Sequence, residues 1–235
     1  MTKLINKIVS SKTGKRLCRI LSPFILPIGF SRVVFGSRVF FNLRDHPFMI
    51  YSSRKELETC QGTSKVIEQL PPNSLVWDIG CNIGLYALYA AKLGHRVVAW
   101  DISPSAIELV NRSAVANGVD LQIRTVAKAF TDHFETYNIP RTARAGNKIE
   151  FSGTLSHSSV SMMWRQAVEL YGVPQFIKMD IEGAEGELLN DADFMQWISG
   201  NEILFEVELH NKNVIPAQYP RAKTGNTMFM VGATA

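Results

Sequence analysis

The sequence predicts an α/β protein: a mostly parallel central sheet with helices on both faces, preceded by a basic N-terminal extension. Three observations predict it. Short apolar runs at residues 75–77 and 97–100, and one at 176–179 broken only by Lys178, suit strands buried on both sides. The first leads into Asp78-Ile79-Gly80-Cys81-Asn82-Ile83-Gly84, a glycine-bearing turn followed by the apolar helix pattern of residues 85–93. The second ends in Asp101 and is followed by a helix pattern over residues 105–117 and a third strand pattern over 121–126. Strand, glycine turn, helix, strand, acid, helix, strand is the front half of a doubly wound sheet.

The remaining elements follow in order. Residues 39–41 and 48–51 alternate like short strands and predict a small hairpin ahead of the main body. Residues 56–70 predict a helix stopped by Pro71-Pro72-Asn73, and Ser103 or Ser105 can cap the helix after the second strand. Residues 148–151 read as a strand and 162–171 as a helix; the polar stretch 138–147 ahead of them reads as a loop. The fourth buried strand, 176–180, ends at Ile181-Glu182-Gly183. One helix is expected over 185–197, a fifth strand over 202–210 and a final strand over 227–231.

The 235-residue chain is 46% hydrophobic and 20% charged, a globular composition. No apolar run approaches the roughly 20 residues that cross a bilayer. Cys18, Cys60 and Cys81 form no CxxC pair, so a disulfide framework or a cysteine zinc site is not supported, and a reducing, cytoplasmic setting fits best. The charge is uneven. Residues 1–54 hold ten Lys and Arg against one acid, Asp45, a net +9, while residues 55–235 carry −5. We divide the chain there, into a basic extension and a main domain. Lysines between Leu4, Ile5, Ile8 and Val9 make residues 1–30 either a terminal helix packed on the body, the favoured reading, or a segment touching an anionic membrane. A basic front on an acidic body is poor support for a nucleic-acid binder.

The turn carries the functional signal. A dinucleotide turn presents amides to a pyrophosphate at a helix N-terminus, and an acid beside its first glycine would repel that group. Asp78 instead suits a cationic ligand such as the ammonium and sulfonium of S-adenosylmethionine (SAM), although a cap or turn role is the plain alternative. Asp101 can accept both hydrogen bonds of a ribose diol. Gly80 and Gly84 permit close backbone approach, and Asn82 either contacts the ligand or supports the turn. Cys81, Tyr86 and Ile102 complete the candidate cofactor set.

The stretch VWDIGCNIGLYALYAAKLG resembles motif I of SAM-dependent methyltransferases, and D-I-G-x-N-I-G-L-Y resembles the FkbM-type family in particular. Lys178-Met179-Asp180-Ile181-Glu182-Gly183-Ala184-Glu185 is similar to that family's K-x-D-x-E-G-A-E signature, and Leu204-Phe205-Glu206-Val207-Glu208 to its next strand. The resemblance spans residues 56–210. It implies a Rossmann-like SAM-dependent methyltransferase fold and O-methylation of a small-molecule or glycan acceptor, such as a sugar or natural-product hydroxyl. The chain departs from the family pattern at Cys81, where a small residue is usual, and in its short tail after His210. After the third strand, residues 126–130 offer an adenine only backbone and the aromatic face of Phe130.

Catalytic candidates sit at the carboxyl ends of the central strands. Lys178 and Asp180 share one face, as do Glu206, Glu208 and His210. Asp180 is the leading candidate for base or metal ligand. Lys178 could equally brace the site by pairing with Asp180 or Glu206, Glu182 could orient the loop, and His210 is a base candidate or a bystander. Mg²⁺ on Asp180 and Glu206 has suitable oxygen donors but no dedicated loop, so no metal is assigned. The rivals are a catalytically silent SAM or nucleotide binder, motivated by the short tail; an NAD-dependent oxidoreductase; and a nucleic-acid methyltransferase.

Overall fold

A computed structural model of the protein describes residues 30–34, 36–42, 61–140, 155–210, 222–224 and 227–230. The readings placed on residues 1–29, 48–51 and 148–151 lie outside these.

The main sheet has seven strands in the order β12-β13-β11-β10-β3-β4-β5. They are β3 (Leu75–Ile79), β4 (Arg96–Trp100), β5 (Ile123–Val126), β10 (Phe176–Met179), β11 (Leu204–Glu208), β12 (Ala222–Thr224) and β13 (Thr227–Met230). The five strands from β11 to β5 run parallel, and β13 lies antiparallel against β11. The chain order reverses beside β3, so the carboxyl ends of β3 and β10 flank the crevice where such sheets take ligands. The Rossmann-like fold is as expected.

Among the described residues, six helices flank the sheet: α1 (Gln61–Gln69), α2 (Leu85–Lys92), α3 (Pro104–Asn117), α4 (Trp164–Tyr171), α5 (Glu185–Asn190) and α6 (Ala192–Gly200). Alternation along the strands gives two cores. Val76, Val97, Ala99 and Phe176 pack with α1, α2 and α3. Trp77, Ile79, Val98, Trp100, Ile177, Met179 and Phe205 pack with α4, α5 and α6. Ser103 caps α3, accepting from the Ala106 N–H, and Gly118 closes that helix in the left-handed region.

The structure corrects several element boundaries. The helix expected over 185–197 is two helices, because the Asp191 carboxylate accepts from the N–H groups of Asp193 and Phe194 and starts a new N-terminus. The helix expected from residue 162 begins at Trp164, since Met162–Met163 forms β9, paired with β6 (Phe130–Thr131). The middle of the chain also holds an antiparallel ribbon, β7 (Thr136–Pro140) with β8 (Leu155–Val160), which the sequence did not suggest.

β12 and β13 are separated by only two residues, so a hairpin occupies the edge without an intervening helix. At the other end, β1 (Phe30–Val34) and β2 (Ser37–Phe41) form a hairpin against α3. Asn117 accepts from the Phe40 N–H at 2.9 Å and donates to its carbonyl at 2.6 Å, and the Asn42 N–H reaches Ser113 Oγ. Val39 and Phe41 are buried in the body's core.

Candidate functional site

The glycine turn joins β3 to α2 in left-handed backbone at Gly80, Asn82 and Gly84, with φ of +80°, +51° and +79°. Asn tolerates that region better than most residues. A Cβ on Gly80 would lie 1.8 Å from the Asp180 carbonyl oxygen, and one on Gly84 would lie 2.8 Å from the Val110 side chain. Both glycines are therefore required by chain packing, whether or not a ligand approaches. Gly80 is the point where the turn after β3 presses on the end of β10.

The turn's amides are largely engaged. Those of Gly80 and Cys81 donate to the Trp100 carbonyl at 2.9 and 2.8 Å, that of Gly84 to the Cys81 carbonyl, and that of Asn82 to Asp101 Oδ2 at 3.0 Å. A pyrophosphate would find few donors here and several acids, which disfavours the dinucleotide reading.

Asp78 lies in the core at 1% exposure and accepts from the Ala87 N–H in the first turn of α2, the cap role weighed as its alternative. Its Oδ1 is buried without a hydrogen-bond partner. Burial pushes its carboxyl up to about 6 against the pull of Lys178. Cys81 and Tyr86 are also buried, and burial raises the Cys81 thiol. The predicted cofactor residues that reach the surface are Gly80, Asn82, Asp101 and Ile102. Asp101 holds the turn through Asn82 and accepts from the Ser103 N–H at 2.8 Å. Each of its oxygens keeps a second lone pair, so a ribose diol can still be received. Asn82 Oδ1 is also buried without a partner. These surroundings fit an adenosyl ligand with a cationic tail. Phe130 cannot supply the expected adenine face: it is buried among Trp77, Trp100 and Phe194.

Parallel pairing places Lys178 beside Asp78 on one side and Glu206 on the other. All three are buried, on the face covered by α1 and α2. Lys178 Nζ contacts Asp180 Oδ2 at 3.2 Å and lies 5.4 Å from the Tyr86 ring centroid. Glu206 accepts from the Thr63 hydroxyl on α1 at 2.5 Å, and burial pushes its carboxyl up to about 7. The geometry makes Lys178 a brace for Asp180 and places Glu206 in the body of the strand.

At the carboxyl edge, Asp180, Glu182 and His210 converge. The turn between β10 and α5 carries positive φ at Glu182 (+55°) and Gly183 (+112°). Glu185 holds its backbone, while Glu182, weighed for that role from the sequence, lies 3.8 Å from His210 Nε2. Fully buried Glu185 Oε1 accepts from the N–H groups of Ile181 and Gly183 at 3.0 and 3.1 Å and meets His210 Nδ1 at 3.0 Å. Sequence reasoning gave Glu185 no role. The signal that could have found it is an acid in the first turn of a helix, where free backbone N–H groups favour a carboxylate. His210 Nε2 faces Asp180 Oδ1, Glu182 Oε2 and Glu208 Oε1 at 3.9, 3.8 and 3.9 Å. Burial opposes protonation of His210, but the bond to Glu185 and the surrounding carboxylates outweigh it, and its pKa rises above the ordinary value. No such group of potential ligands contains Glu206 among the described residues.

Comparison with known proteins agrees with the motif. Residues 77–136 match the family described as "Methyltransferase domain". A ribosomal protein L11 methyltransferase from Pelotomaculum thermopropionicum is 35% identical over 81 residues, 34% of this chain and 26% of that protein, so the match spans about a quarter of the relative. Among solved structures, the methyltransferase FkbM from Methylobacillus flagellatus KT superposes with a TM-score of 0.48 at 16% identity, covering 81% of this chain and 52% of that one. A 16S rRNA methyltransferase from T. thermophilus, in complex with AdoMet and guanosine, gives a TM-score of 0.43 at 12% identity over 87% of this chain and 50% of its own. The segment holding the glycine turn and Asp101 is thus similar to the methyltransferase domain, within a sheet that is Rossmann-like by its own strand order.

Proposed function

We propose that the protein is a SAM-dependent O-methyltransferase acting on a hydroxyl of a small molecule or glycan. The observation that carries this reading is the acidic turn with its amides engaged, next to Asp101 at the end of the neighbouring strand. The methyltransferase-domain match over residues 77–136 supports the cofactor. Gly80, Asn82, Asp101 and Ile102 would hold SAM, whose sulfonium supplies the methyl group when bound. The chain's contribution is alignment and exclusion of water, since charge on sulfur is lost during transfer.

The acceptor would lie at the Asp180–His210 cluster, one strand over from the turn. A hydroxyl acceptor must lose its proton, and these are the semi-exposed basic groups nearest the crevice. The hydroxyl acceptor class follows the FkbM-type resemblance of residues 78–86 and 178–185.

The test incubates the protein with methyl-labelled SAM and panels of glycans, hydroxylated small molecules, RNA and protein. Label is expected on a glycan or small-molecule oxygen. Asp180→Ala is expected to lower turnover at least about 1,000-fold while cofactor affinity stays within a factor of about three. Label on RNA or protein alone would overturn the acceptor class, and an active Asp180→Ala would remove that residue's role.

A further inference from the structure

The arrangement around His210 is unusual for an ion-pair cluster. Three carboxylate oxygens surround Nε2 at 3.8–3.9 Å, each too far to hydrogen-bond it. Asp180 Oδ1 is buried and has no hydrogen-bond partner, although Oδ2 of the same carboxylate is held by Lys178. Ligand atoms that share a cation at about 2.0–2.3 Å stand roughly 3–4 Å apart, so a small contraction of this cluster would let its atoms share one ion. The ligand atoms of Asp180, Glu182 and His210 all lie within 4.8 Å of one another.

The ring's other nitrogen strengthens the case. Nδ1 meets the fully buried Glu185 Oε1, which is fixed by two backbone N–H groups. With Nδ1–H donating to Glu185, the Nε2 lone pair faces the carboxylates. Carboxylate-held imidazoles are the usual metal-binding arrangement, because the outer carboxylate sets both tautomer and ring orientation. An imidazole beside two carboxylates suits a transition ion better than Mg²⁺, which prefers oxygen donors and retained water.

We propose that Asp180, Glu182 and His210 form a site for a divalent transition-metal ion, with Glu185 as the residue positioning His210. The site deepens the methyltransferase reading and rests on it for its purpose: the ion would face the acceptor. Its existence can be tested independently of turnover.

The experiment uses the full chain, stripped with a chelator and titrated with Co²⁺ by visible absorption and with Mn²⁺ by loss of the free-ion electron paramagnetic resonance signal. One equivalent is expected to bind saturably, with ligand-field bands showing nitrogen and oxygen donors. His210→Ala should weaken binding at least about 100-fold, and Glu185→Gln about 10- to 100-fold. Should Glu185→Gln fail to fold, His210→Ala carries the test, with its fold checked by circular dichroism. His133→Ala should change nothing, although Asp132, His133 and Glu187 form a similar, more exposed cluster. Absence of saturable binding, binding indifferent to His210→Ala, or binding removed by His133→Ala would each overturn the proposal. S-adenosylhomocysteine affinity, measured on the same stripped samples, separates the two readings. Loss of the metal signal with cofactor binding intact overturns only the site, whereas loss of cofactor binding overturns the function.

Discussion

The two faces of the central sheet are built on different principles. The face under α4, α5 and α6 is apolar and rich in aromatic rings: Trp77 contacts Trp100 edge-on at 5.0 Å, and Trp164, Phe194 and Trp197 pack around them. The face under α1, α2 and α3 is apolar toward the amino ends of the strands. It then carries Asp78, Lys178 and Glu206 in one buried row, a step before the carboxyl edge. Buried charges cost several kcal/mol unless compensated, and a sheet can omit them, as its other face shows. The row lies directly behind the turn and Asp180, and Lys178 joins the two layers. One face supplies cohesion; the other trades some of it for a braced site.

Three substitutions test that contrast. Trp77→Ala should be the most damaging, costing about 4 kcal/mol, because it empties a fully buried aromatic position. Urea denaturation should give the same loss at pH 5 and pH 8, since the described residues packed around it are apolar. Lys178→Met should cost about 3 kcal/mol at pH 8, where it strips three carboxylates of their nearby cation, and much less at pH 5. Glu206→Gln should have the smallest effect and the opposite sign, a gain of about 2 kcal/mol at pH 8. The sign follows from the folded-state values of about 7 for Glu206 and about 6 for Asp78, both raised by burial. The folded protein holds these protons more tightly than the unfolded chain. Their stabilising contribution is therefore complete below the ordinary carboxylate range and is lost as pH rises toward 7. A Glu206→Gln gain that is equal at pH 5 and pH 8 would show that this face is not electrostatically loaded.

The legibility of the sequence divides along the same physical lines. The parallel strands β3, β4 and β10 are buried on both faces, so each appears as a mostly apolar run, interrupted by Asp78 in β3 and Lys178 in β10. The turn residues Gly80, Asn82 and Gly84 need left-handed backbone, which few residue types accept. By contrast, β6, β7, β8 and β9 are short or two-sided, and their periodicity does not rise above that of loops. Asp191 looked like one more polar helix residue, because its capping bonds depend on where the chain breaks. Phe130 seemed available to a ligand because sequence cannot tell a ring in the core from one lining a crevice. The candidate site was legible as residue types on adjacent strands. Its wiring, with Glu185 holding the turn and His210, required the β10–α5 connection to be folded against the end of β11.

The central claim is that the first crossover turn and Asp101 grip an adenosyl cofactor with a cationic tail, and titration calorimetry with S-adenosylhomocysteine, SAM and NAD⁺ tests it most directly. The account predicts saturable one-to-one binding of the first two, no binding of NAD⁺, and an affinity lowered about 10- to 100-fold in Asp101→Ala with the fold retained. Binding of NAD⁺ without either adenosyl compound, or wild-type affinity in Asp101→Ala, would contradict it.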